Sequence, residues 1–319
     1  MALRYLLNIS AFRSPLLRTL VPTVALAYGI QAAVAIPSIA AQTERFYDLS
    51  GSLTYLSCTA VSLYLPTIRA RLTGLGSEAL KTGVTNVALG RFNWRQLAIS
   101  AAVGVWATRL GSYLFSRITS ENGRDSRFDN IRGSPPKFFA AFMAQATWVS
   151  LCLLPVISLN ALPTTAFASL ARVTVTDIAG AALFLGGFTF EVLADMQKNA
   201  WLKEKREKKH SEEFLTRGLW SKSRHPNYAG EITLWTGIAA LAGGILASTA
   251  GQRALGWSGS PVARLGAVAM AAVSPAFTTL LLTKVSGIPL SEDKYDKRYG
   301  DRKEYQERKK NTPLLIPKL

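Results

Sequence analysis

The feature that most narrows what this chain can fold into is a series of apolar stretches, each close to the length of a membrane crossing. A helix that rises about 1.5 Å per residue needs about 20 mostly apolar residues to cross a hydrocarbon layer roughly 30 Å thick. Seven stretches come near that length: residues 19–41, 50–66, 96–116, 138–162, 173–197, 231–250 and 263–285. None carries the alternating pattern of a lipid-facing strand, and a helix satisfies its backbone N–H and C=O groups within the segment. The expected fold class is therefore all-α, a polytopic membrane helical bundle with about seven transmembrane helices. Hydrophobic residues make up 49% of the chain and charged ones 18%, so the charges must gather between the spans. No repeat of fixed period and no Gly-, Ser- or Pro-rich linker divides the sequence. The simplest description is one membrane domain: residues 1–94 hold two spans and a loop, and residues 95–319 hold the rest, including a basic loop at 198–226 and a tail at 285–319.

The formal net charge of +17 would suggest nucleic acid as the partner of a soluble protein. Here Lys and Arg lie between apolar segments, so anionic lipid headgroups and a phosphorylated cofactor are the expected partners, and nucleic acid is not. Residues 198–224 carry nine Lys or Arg against four Glu, and the tail is basic as well. Two spans separate these regions and put them on one side, expected to be the cytosol. The loop 67–95 argues the other way, with Arg69, Arg71, Lys81, Arg91 and Arg95 against a single Glu. The first 43 residues hold Arg4, Arg13 and Arg18 and no acid, a pattern shared by transit sequences and by the flank of a first span. The apolar run then outlasts a signal peptide, which favours an uncleaved helix. Cys58 and Cys152 both sit in apolar stretches and read as packing residues. With His210 and His225 as the only histidines, no metal cluster is expected, and neither GxGxxG nor a P-loop follows a strand.

Ionisable groups at membrane depth are costly and are candidates for function. The fifth span ends in FEVLADMQKNAW, where Glu191, Asp195 and Lys198 or Asn199 follow one another at helical spacing on one face. An interfacial position, with these groups solvated or paired among themselves, is the plain alternative. A second cluster lies in GLWSKSRHPNYAGEITLW. Pro226 suits the first turn of a helix and pushes His225 toward an extended conformation. Asn227, Glu231 and Trp235 then recur every four residues with Tyr228 beside them, and Arg224 and His225 precede the helix start. Such a start offers free N–H groups and a favourable dipole to an anion, with Arg224 and Lys222 nearby. An interfacial turn with a basic flank explains the same spacing.

RHPNYAGE resembles the signature of the steroid 5-alpha-reductase and sterol-reductase superfamily, specifically its branch of uncharacterised members with a reductase-like C-terminal domain. WATRLGSYLFSR with GRDSRF, ADMQK, and the tail YDKRYGDRKEYQERKKNTPLLIP extend the resemblance over residues 95–319. The resemblance implies about seven helices in the endoplasmic reticulum, with a mitochondrial membrane as the other compartment. It further implies NADPH entering from the cytosolic side and hydride delivery to a carbon–carbon double bond of a hydrophobic lipid substrate. By position, Asp195, Asn227, Tyr228 and Glu231 match residues that hold the cofactor or line its pocket. Arg109, Arg127 and Arg224 match motif arginines, and Tyr299 matches a tyrosine of the tail. Glu191, Lys198, Asn199 and His225 complete the candidate cofactor set, while Tyr228 and Glu231 are the candidates for catalytic work.

The chain also departs from the steroid-reducing members. Trp106 stands where they carry a tyrosine, Tyr295 where the tail has a histidine, and Glu191 where an asparagine precedes the span-five aspartate. Reduction of a steroid enone is accordingly disfavoured. Two other readings compete. Membrane methyltransferases of the isoprenylcysteine carboxyl methyltransferase type, which bind S-adenosylmethionine, share an RHP-x-Y-x-G element and a tail that Glu292, Tyr299, Gly300, Tyr305 and Pro317 mimic. A catalytically silent lipid-binding protein on the same fold is the third.

Overall fold

The computed structural model describes residues 12–72, 92–120 and 123–318, and all of the secondary structure described there is helical. Lys81 and Arg91 of the basic loop, and Arg4 of the N-terminal segment, lie outside the described residues. The helices are α1 (Pro15–Ala40), α2 (Tyr47–Leu72), α3 (Trp94–Ser120), α4 (Pro135–Cys152), α5 (Leu154–Asn160), α6 (Val175–Arg206), α7 (Pro226–Ala247), α8 (Thr249–Leu255), α9 (Pro261–Leu280), α10 (Gly287–Tyr299) and α11 (Lys303–Asn311). Five runs, α1, α3, α6, α7 and the continuous stretch Pro261–Tyr299, are long and apolar enough to cross a membrane. The bent pair α4 and α5 would make a sixth. The protein is thus a polytopic helical membrane protein, with two differences from the expected seven spans.

The segment expected to cross as span two forms a helix, α2, of 26 residues. It is not apolar enough to count among the candidate spans, because Ser50, Ser52, Thr54, Thr59 and Ser62 line its buried side. The segment expected as one span over 138–162 bends by 52° between α4 and α5. Pro155 stands in the first turn of α5, where its missing N–H and its ring break the continuing helix and open a new one.

The chain divides into two compact units, Met1–Thr176 with Leu241–Val273, and Asp177–Ala240 with Ser274–Leu319. The first is held by polar side chains in an otherwise apolar interior. Gln31 on α1 donates to Thr54 on α2 at 2.7 Å, and Gln145 on α4 donates to the Tyr47 carbonyl at 2.9 Å. Gln145 also reaches Gln31 at 3.3 Å, and a Cβ on Gly51 would lie 2.6 Å from its amide nitrogen. Asn160 at the end of α5 donates to Ser62 at 2.9 Å and Ser100 at 3.1 Å. Arg69 and Arg95, counted above as loop charges, are buried, and Arg95 donates to the Ala171 carbonyl at 2.8 Å.

In the second unit α6 and α7 touch through glycines. A Cβ on Gly187 would lie 2.5 Å from the Leu234 nitrogen, one on Gly230 2.6 Å from the Glu191 nitrogen, and one on Gly237 2.5 Å from the Gly180 carbonyl oxygen. Residues seven apart share a helix face, so Gly180 and Gly187 on one helix meet Gly230 and Gly237 on the other, backbone to backbone.

The C-terminal end of α5 leaves carbonyls with no helical partner. The Gln96 amide donates to the Leu159 and Asn160 carbonyls there and to that of Leu162 just beyond, at 3.2–3.4 Å. Gln96→Leu keeps the volume and removes the donor. We expect it to cost about 1–3 kcal/mol, the penalty for buried acceptors left unsatisfied, and to lower the thermal midpoint in detergent by several degrees. An unchanged midpoint would show that the amide does not cap α5.

Candidate functional site

The site grows from the turn that opens α7. Pro226 takes the first helical position, and the residues before it bond to the C-terminal segment. Arg224 N donates to the Pro313 carbonyl at 2.9 Å, Lys318 N donates to the Lys222 carbonyl at 2.8 Å, and the Ser223 hydroxyl donates to the Leu315 carbonyl at 2.8 Å. The tail is therefore strapped to the basic loop. This agrees with both lying on one side of the membrane.

Two helices of the tail complete the wall. Glu292 on α10 accepts from Arg224 and sits 2.9 Å from His225 Nε2. Lys309 and the Tyr305 hydroxyl, both from α11, donate to Asp296 at 2.7 and 2.8 Å. Across from them, Trp220 donates its indole N–H to the Ala194 carbonyl at 2.9 Å, and the Lys198 ammonium lies 5.4 Å from the centre of the Trp220 ring. Trp201 donates to Glu212 at 2.9 Å, which folds the loop back onto the end of α6.

These groups enclose a pocket wholly within the second unit. Lys198, Trp201, Leu202, Leu215 and Trp220 form one side, Arg224, His225, Asn227 and Tyr228 the base, and Ser291, Glu292, Tyr295, Tyr305 and Arg308 the other side. Three of the lining residues carry a buried polar atom with no hydrogen-bond partner: Arg224 at Nε, Asn227 at Oδ1 and Arg308 at Nε. Buried polar atoms are nearly always satisfied, and three exceptions on one pocket need an explanation. Arg224, Arg308 and Lys198 outnumber the one carboxylate, Glu292, whose charge Arg224 already meets. Aromatic rings supply flat walls.

Burial holds the His225 imidazole below its ordinary value of 6.5 and outweighs the opposing hydrogen bond from Glu292. The ring is then neutral at pH 7, and because a carboxylate only accepts, the proton sits on Nε2. Burial likewise lowers Arg308.

Of the candidates read from the sequence, Lys198, Arg224, His225, Asn227 and Tyr228 line the pocket. Glu191, Asp195 and Glu231 are buried but do not line it, and each has a partner within the protein. The Asn199 side chain is exposed. Tyr299 is buried beneath the tail, where its hydroxyl donates to the Glu213 carbonyl at 3.3 Å. Arg109 and Arg127 belong to the first unit. Arg109 lies over the Tyr113 ring at 5.5 Å. Arg127 is committed to carboxylates, with 2.9 Å hydrogen bonds to Asp125 and Asp48. Sequence reasoning did not assign Trp201, Trp220, Ser291, Tyr305 or Arg308 to a cofactor site. Glu292 and Tyr305 were visible only as parts of a methyltransferase-like tail, and Arg308 is one cation among many in a basic run.

Fold and site together define a polytopic helical membrane protein with a cationic, aromatic-lined pocket at the start of α7. A family model described as a protein of unknown function (DUF1295) matches residues 76–312. The chain belongs to that family. No curated protein and no solved structure matches it.

The lowered His225 value fixes the sign of a pH effect. Below 6.5 the unfolded chain takes up a proton that the folded chain refuses, so the His225 contribution is fully present above that pH and is lost as pH falls toward the folded value. Melts between pH 7.5 and 5 should show a decline that His225→Gln reduces. An unchanged slope in the variant would rule out His225 as its source.

Proposed function

We propose that this protein is a membrane-embedded, NADPH-dependent reductase of a lipid carbon–carbon double bond, resident in the endoplasmic reticulum with its C-terminus in the cytosol. The observation that carries the reading is that Arg224, Arg308 and Asn227, all lining one pocket, each keep a buried side-chain polar atom without a hydrogen-bond partner. A dinucleotide with several phosphate charges answers the two arginines and Lys198, since guanidinium groups bind phosphate through paired N–H donors. The free Asn227 oxygen accepts from a carboxamide or a ribose hydroxyl. Trp201, Trp220 and Tyr228 supply aromatic surface to the wall. The bound cofactor supplies a hydride, and the protein's part is to position it, neutralise its charge and keep water out. The lipid class, whether sterol, polyprenol or fatty enone, is set by groups outside this pocket.

A second reading rests on the contact of Arg224 and His225 with Glu292, which joins the RHP element to the tail acid of the methyltransferase-like pattern. S-adenosylmethionine carries one sulfonium and no phosphate, so it answers the cationic excess less well. Titration of purified full-length protein separates the two. Saturable NADPH affinity near micromolar supports the reductase, and affinity for S-adenosylmethionine alone replaces it with the methyltransferase. NADPH binding without oxidation in the presence of membrane lipid extracts supports a silent lipid-binding protein instead.

Asn227→Ala removes an acceptor that has no partner within the protein. It should leave the thermal midpoint unchanged and weaken NADPH binding about tenfold, the loss of one hydrogen bond of roughly 1–1.5 kcal/mol. Wild-type affinity in this variant would take Asn227 out of the cofactor site.

A further inference from the structure

α10, which brings Glu292 and Tyr295 to the pocket, is entered through an irregular turn. After α9 the chain makes a π-helical turn, Leu281–Val285, closed by Ser286 N donating to the Leu281 carbonyl at 2.8 Å. Such turns are rare, and they cluster where a helix must be re-aimed at a functional site. Ser286 then leaves helical geometry at φ −126° and ψ −85°, and α10 begins at Gly287. A Cβ on Gly287 would lie 2.9 and 3.0 Å from Cε2 and Cζ of Tyr228 and 3.1 Å from the Leu282 carbonyl oxygen. The glycines with positive φ are Gly123, Gly218, Gly256 and Gly259. Gly287 is not one of them, so its backbone suits any L residue, and only space excludes a side chain. The Tyr228 ring also lies parallel to the His225 ring, with centroids 5.5 Å apart and planes within 6°.

We infer that Gly287 is a positioning residue for the pocket. Its missing side chain lets the Tyr228 ring rest against bare backbone in register with His225, so that the ring is held at a fixed depth in the pocket wall. The identity of the pocket's ligand as NADPH rests on the reading above; the placement of Tyr228 does not. A methyl group at 287 drives the tyrosine away from the backbone and out of register with His225. α10 itself gains from the change, because alanine is the better helix former.

The test uses full-length protein in detergent with isotope-labelled histidine, of which the chain has only two residues, so that His210→Gln assigns the His225 signal. Gly287→Ala should shift the His225 ring resonances toward those of Tyr228→Ala, since both remove the tyrosine ring current. It should also weaken NADPH binding about fivefold, the order of one displaced aromatic contact, with the thermal midpoint retained. In the Tyr228→Ala background, Gly287→Ala should add no further loss, because the first change removes what the second displaces. An unmoved His225 resonance, or losses that simply add, would overturn the proposal. A wild-type protein with no NADPH affinity would remove the reductase reading, while the His225 resonance would still decide the role of Gly287.

Discussion

A backbone placed in hydrocarbon has no water to bond with, and every carbonyl freed by a bend or a helix end must find a donor among its neighbours. Most of what is distinctive in the first unit follows from that requirement. Once Pro155 breaks the span at Leu153, the carbonyls around the end of α5 accept from Gln96, and those of Ala171 and Arg172, in the segment that leads into α6, accept from Arg95. The Ser- and Thr-rich face of α2 serves the same end, since its hydroxyls meet Gln31, Gln145 and Asn160. α2 has given up apolar character in order to serve as the polar partner of its neighbours.

In the second unit the governing distance is the close approach of α6 and α7. Glycine at 187, 230 and 237 lets the two backbones touch, which brings the first turns of α7 against the middle of α6 at Glu191. The loop and tail then close around that start. Glu292 links a helix of the tail to the turn before α7 through two cationic or polar partners at once. Removing either partner would leave a half-buried carboxylate with unmet demand.

The helical membrane class was legible because apolar length is a local property, and five of the seven expected stretches became candidate spans as read. The two exceptions had visible causes: the hydroxyl-bearing face of the second stretch, and Pro155 in the fourth. The site was legible in part. Arg224, His225, Asn227, Tyr228 and Lys198 stand on the pocket because their positions follow from helix periodicity and from where Pro226 starts a helix. Glu191, Asp195 and Glu231 carried the same periodic signal but are buried away from the pocket lining, and periodicity alone does not say which polar positions of a helix reach a cavity. Arg308 and Trp220 could not be singled out from sequence, because they reach the pocket only through the folding-back of the loop and the tail.

The amide network of Gln31, Thr54 and Gln145 has a bearing on how the chain is made. Gln31 enters the bilayer first, and α2 follows within a few residues with a hydroxyl to receive it, so the first two helices can leave the insertion machinery as a polar-matched hairpin. Gln145 arrives more than ninety residues later than the partners it needs, Tyr47 and Ser50. The network can close only once α4 has been made, so the order of the helices along the chain is also the order in which these bonds become available.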